Sequence, residues 1–142
     1  MSHARKQIRD YIVNLLNSNS ILTYSSRKLP VDVLPVTGVY AEREDLNLNN
    51  DAQQYYHIRE LNLIIRSIVK GVNIDDAMDI MASSIETVLL HDEFLANKCY
   101  STDLSSTEMQ LDDSSESEKG LLTMSFLIKY IVKKGEPEII LK

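Results

Sequence analysis

Between residues 55 and 91 the sequence places a long run of β-branched and aromatic residues, a sharp break, and an apolar repeat of helical period. No other stretch restricts the fold as much. In the run 55–69, Leu61, Leu63 and Ile65 alternate with Glu60, Asn62 and Arg66, the two-residue period of a strand with one apolar face. Lys70-Gly71 ends it. Asn73 can then cap a helix, with Asp75 and Asp76 in the first turn, where the positive end of the helix dipole favours carboxylates. Ala77, Ile80, Met81, Ser84, Ile85, Val88 and Leu89 recur at helical spacing opposite Asp75, Asp79, Ser83 and Glu86, which predicts an amphipathic helix over 74–91. A long strand feeding such a helix needs a sheet whose apolar face the helix can cover.

The flanking segments supply that sheet. Residues 3–17 read as a helix with a stripe of Ile8, Tyr11, Ile12, Leu15 and Leu16, broken by Ser18-Asn19-Ser20. A short strand at 21–25 and another at 36–42 lie on either side of a segment that Pro30 and Pro35 keep extended. The stretch 42–54 is polar and reads as a loop or hairpin tip. After the second helix, 92–97 reads as a transition, 99–111 as an edge strand and 112–120 as an acidic turn. The cleanest alternation follows, with Leu122, Met124, Phe126, Ile128, Tyr130 and Val132 on one side and Thr123, Ser125, Lys129 and Lys133 on the other. The fold class is therefore α+β: a mainly antiparallel sheet of four to five strands with two helices packed on one face, in a single domain spanning 1–142. Ile64 and Ile68 point away from the Leu63 face, so the uncovered side is more apolar than water favours, which suggests a subunit contact.

Composition narrows the function. A chain of 142 residues with 44% apolar and 25% charged residues is that of an ordinary globular domain. Its net charge of −6 disfavours binding to nucleic acid through phosphates, which needs clustered Lys and Arg. No apolar run approaches the ~20 residues of a membrane span. The start has no apolar signal core, and the single cysteine, Cys99, fits a reducing compartment, so synthesis and retention in a cytoplasm is expected. His3, His57 and His91 are not at metal-ligand spacing from each other or from Cys99, no glycine-rich phosphate loop exists, and Asp75, Asp76 and Asp79 are explained by the helix start. Neither a catalytic constellation nor a cofactor or metal site is expected.

Several short motifs carry a resemblance. Ser2-His3-Ala4-Arg5-Lys6-Gln7-Ile8 resembles the N-terminal helix of the tail terminator (tail completion) proteins of long-tailed phages. Ser26-Arg27-Lys28-Leu29-Pro30 and Leu34-Pro35-Val36-Thr37-Gly38-Val39-Tyr40 are similar to that family's Arg-x-x-Pro segment, Leu-Pro entry and second strand. The long strand, the helix beginning Asn73-Ile74-Asp75-Asp76-Ala77 and the strand from Gly120 to Tyr130 continue the order. The acidic stretch 112–119 and the tail after Tyr130 have no counterpart in the pattern.

The resemblance implies a virion protein, assembled in the host cytoplasm, that forms a homo-oligomeric ring, a hexamer in the usual case. Such a ring caps the tail tube, ends its polymerisation and offers a surface to the head–tail connector. Its partners are further copies of itself, the major tail tube protein and the connector; DNA passes through the lumen without specific binding, and no membrane is involved. A ring needs heterologous contacts, for which Tyr56, Ile58, Ile64 and Ile68 are apolar candidates and Arg5, Arg27 and Arg59 polar ones. An acidic lumen would repel DNA, with Glu42, Glu44, Asp45, Asp112, Asp113, Glu116 and Glu118 as candidates. The alternatives are another neck or head-completion connector protein, a small α+β ligand-binding or enzyme domain, and an adaptor dimer.

Overall fold

The computed structural model describes residues 2–47, 55–112 and 119–141, Asp112 in its backbone only. Among them one five-stranded sheet carries three helices on one face. The chain order is α1 (Ala4–Ser18), β1 (Thr23–Tyr24), β2 (Val36–Leu46), β3 (Tyr56–Lys70), α2 (Ile74–Leu90), α3 (Glu93–Lys98), β4 (Ser101–Asp112) and β5 (Lys119–Lys133). Across the sheet the strands run β1-β2-β3-β5-β4; β1 and β2 are parallel and the other pairs antiparallel. The expected α+β class holds.

Each helix boundary has a local cause. His3 caps α1, its Nδ1 accepting from the Arg5 amide at 3.1 Å. At the other end Ser20 adopts φ 65°, its N–H donates to the Asn17 carbonyl and that of Ile21 to Leu16, which closes the helix in the left-handed manner usual for glycine. Ile21 then folds back to bury beside Leu16. Asn73 caps α2, accepting from the Asp76 amide, with Asp75 and Asp76 in the first turn as expected. The buried stripe of α2 is Ile74, Met78, Ile85 and Leu89, rotated from the expected one, so Ile80 is 68% exposed. The segment expected to be a transition is α3, capped by Asp92, whose carboxylate accepts from the Leu95 amide at 2.9 Å and from the Tyr11 hydroxyl at 2.9 Å.

The long strands pair without slippage: Leu61, Leu63, Ile65 and Ser67 of β3 stand opposite Ile128, Phe126, Met124 and Leu122 of β5. These side chains are fully buried under the helices with Ile8, Ile12 and Leu16 of α1. Burying each large apolar side chain is worth about 1.5–3 kcal/mol, so this layer dominates stability. β2 continues to Leu46, further than the expected end at Glu42, because it pairs with β3 throughout and absorbs one extra residue, Glu42, in a bulge between Ala41 and Arg43. The tail returns along the free end of β5, Ile140 bridging Val132 and the Leu141 amide donating to Ile131.

Gly38 is fixed by close approach. A Cβ there would lie 2.6 Å from Leu29 Cδ2 and 2.6 Å from the Ser26 carbonyl oxygen, because segment 26–29 crosses β2 on the side away from the helices. Replacing Gly38 by Ala is expected to lower stability by about 1–3 kcal/mol. Urea denaturation checks this against Gly71→Ala, whose added Cβ meets nothing closer than 3.8 Å and which should stay near wild type.

Candidate functional site

With every helix of the described residues on one side, the other side of the sheet is left uncovered by helices. In β3 the alternation places Tyr56, Ile58, Glu60, Asn62, Ile64, Arg66 and Ile68 there. Leu121, Leu127 and Ile131 of β5 join them, opposite Ile68, Asn62 and Ile58 respectively. Ile58, Ile68, Leu121, Leu127 and Ile131 are all partly exposed; Ile58, Ile131 and Leu127 gather toward one end of the two central strands, beside the Glu60–Lys129 pair, and Ile68 and Leu121 at the other, with Ser125, Arg66 and Thr123 between. The three β5 residues were not among the expected contacts, although their odd positions between Thr123, Ser125, Lys129 and Lys133 are plain in the sequence.

Of the expected apolar contacts, Tyr56 is 43% exposed and Ile58 and Ile68 are half-buried. Ile64 is different. It stands between Tyr40 and Ser125 and is only 3% exposed within the single chain, so it is not an available contact. Arg27 is exposed, but its guanidinium lies 4.5 Å from the centre of the Tyr40 ring and donates to the Ala41 carbonyl at 2.8 Å. Together with Leu29 over Gly38, it covers the β2 side of this face.

Glu44 and Arg59 are turned inward and not toward the lumen and contact surfaces expected of them, while Arg5, 42% exposed, pairs with the same acid. The bulge at Glu42 shifts the alternation of β2, so that Val39 and Ala41 before it and Glu44 after it all turn toward the helices. The Glu44 side chain, 8% exposed, accepts from Arg5 at 3.2 Å, from Arg59 at 3.2 Å and from the Tyr130 hydroxyl at 2.7 Å. Arg59, 15% exposed, is a structural cation. Burial and then the bond to Glu44 hold the Tyr130 phenol well above its ordinary range.

His3 belongs to the same cluster, its Nε2 3.1 Å from Arg59 Nη1. A neutral imidazole accepts at one nitrogen only, so the contacts at Nδ1 and Nε2 are alternatives. Burial, followed by the neighbouring Arg5 charge, lowers the His3 pKa from its ordinary 6.5. The folded chain therefore binds this proton less tightly than the unfolded one, and the imidazole favours folding less as pH falls through 6.5.

The other acidic candidates divide. Glu42 accepts from Asn62 at 3.1 Å and Asp45 pairs with Arg43 at 3.1 Å, both exposed toward the uncovered face. Asp112 ends β4, and Asp113, Glu116 and Glu118 lie outside the described residues.

Depressions mark the described surface. One of about 650 Å³ lies between α1, α3 and the tail, walled by Ile8, Tyr11, Phe94 and Ile139 with Cys99 at its base. Burial pushes the Cys99 thiol up to about 11, and burial with the Asp92 contact pushes Tyr11 up to about 12, so both keep their protons at neutral pH. A second, of about 670 Å³, runs beside α2 from Ile21 and Pro35 to Val88. The third, of about 320 Å³, opens at the end of the uncovered face among Arg66, Ile68, Gln110, Leu111, Lys119 and Leu121. Among the described residues no group of three or more His, Cys, Asp or Glu is placed to hold a metal ion, and no helix is long and apolar enough to cross a membrane. Comparison with protein-family models and with curated proteins finds no match to this chain.

Proposed function

We propose that this chain is the subunit of a ring that caps the tail tube of a long-tailed phage, ends tube polymerisation there and joins the tail to the head connector. The observation that carries the reading is the set of partly exposed apolar side chains, Ile58, Leu127 and Ile131 toward one end and Ile68 and Leu121 at the other, on a sheet face that no helix among the described residues covers. Exposed apolar clusters of this kind favour association with another protein surface. Successive copies joined through unlike patches form a ring where the rotation between them closes. Glu42 and Asp45, exposed beside that face, are the acids available to a DNA-repelling lumen. The work is done by binding, and the partners are further copies of the chain, the tube protein and the connector.

Electron microscopy of the protein mixed with growing tail tubes tests this. The expected result is a ring of density at one tube end and arrest of further tube growth. Bare tubes that lengthen unchanged, or rings found only on head connectors, would contradict it; the second outcome would assign the chain to the neck.

A further inference from the structure

We propose that the depression at Ile68 and Leu121 is a socket for helix α2 of a second copy of this chain, with Ile80 entering it and Asp76 and Asp79 meeting Arg66 and Lys119. This deepens the ring reading and rests on it, since it names the two unlike surfaces that such a ring joins.

The exposed side of α2 is acidic. Over its seventeen residues α2 carries Asp75, Asp76, Asp79 and Glu86 and no Lys or Arg. Ile80 stands out from its middle, 68% exposed, where a helix of a lone chain would be expected to carry a polar residue. Asp76 lies one turn before Ile80 and Asp79 next to it, which puts both carboxylates on the same flank of that side chain. Just before the helix, Val72 is fully exposed as well.

The socket is the complement. Ile68 and Leu121, paired across β3 and β5, supply apolar walls, and Arg66 and Lys119 stand on its rim. Neither cation has an ion-pair partner among the described residues. At about 320 Å³ the hollow is roomier than one aliphatic side chain needs. The two surfaces cannot meet within one molecule. Helix α2 packs on the far side of the same strands, where Gly120 gives room to Met78 and Ile74. Contact therefore requires two copies, and because the two surfaces lie on opposite sides of the sheet it is head-to-tail, the geometry that gives a ring where the rotation between copies closes.

Charge reversal with rescue tests the proposal, read by sedimentation velocity of the protein alone and with tail tubes. Asp76→Lys with Asp79→Lys, and separately Arg66→Glu with Lys119→Glu, should each raise the concentration needed for assembly about tenfold or more. An equimolar mixture of the two variants should assemble at the wild-type concentration, since every junction then joins opposite charges. All four sites are on the surface, and thermal melts should confirm that each variant folds. If the wild-type chain assembles and the α2 variant does too, the inference fails while the ring reading stands. If the socket variant is weakened and mixing does not rescue it, the inference also fails, and Arg66 and Lys119 answer to another partner or to the acids of 113–118. If the wild-type chain stays monomeric even on tubes, the ring reading itself fails.

Discussion

Replacing Glu44 by Ala is expected to lower stability by about 3 kcal/mol, far more than the loss of an exposed acid. Its carboxylate is the shared acceptor for Arg5, Arg59 and Tyr130. Arg5 matters least, because its side chain is 42% exposed and water can replace the partner. Arg59 is only 15% exposed and the Tyr130 side chain is fully buried, so truncation leaves the phenol without an acceptor inside the chain and the guanidinium with no carboxylate, only His3 Nε2, within reach. Removing one partner of a buried pair costs about 3–5 kcal/mol, against ~1 for a neutral hydrogen bond. Tyr130→Phe should accordingly lose about 1 kcal/mol, and the double variant less than the sum, because both changes break one contact. Urea denaturation measures all three. A loss under about 1 kcal/mol for Glu44→Ala would mean that the cluster behaves like a surface ion pair.

That cluster also shows where the sequence is opaque. Alternation is readable only while the register is unbroken. β3 and β5 pair residue for residue, and there the expected faces are the observed ones. A single extra residue at Glu42 reverses the alternation in β2, and nothing in the Glu42-Arg43-Glu44-Asp45 run marks it; Glu44 therefore reads as a surface acid until its partners are seen. Helix phase fails in a milder way. The caps and acids of α2 locate the helix, but several apolar residues surround it, and the stripe that meets the sheet is chosen by Gly120 leaving room for Ile74 and Met78. Ile80 is consequently outside. Six residues are too few for α3 to show a period, although Asp92, Glu93 and Lys98 are its cap and end charges. The cover over Ile64 comes from contacts no local pattern contains.

Replacing Leu127 and Ile131 together by Lys is expected to abolish self-assembly while leaving the fold intact. Both side chains lie on the uncovered face, part exposed, and neither belongs to the core beneath the helices. Substitutions at such positions usually change folding stability by less than about 1 kcal/mol. At an interface the arithmetic differs. Each apolar side chain withdrawn from a contact forfeits about 1.5–3 kcal/mol, and an unpaired ammonium forced into an apolar junction costs several more. Two such changes exceed the ~2.7 kcal/mol that separates hundredfold differences in affinity. The pair is also remote from the Ile68 socket in register, so its effect reports on the face as a whole.

Sedimentation velocity of the wild-type chain and of this double variant, each alone and with tail tubes, asks most directly whether the uncovered sheet face is where copies of the chain meet. A single multisubunit species for the wild type, with a folded monomer for the variant at every concentration, is the predicted outcome. A wild-type chain that remains monomeric with and without tubes, or a variant that assembles at the same concentration, would contradict it.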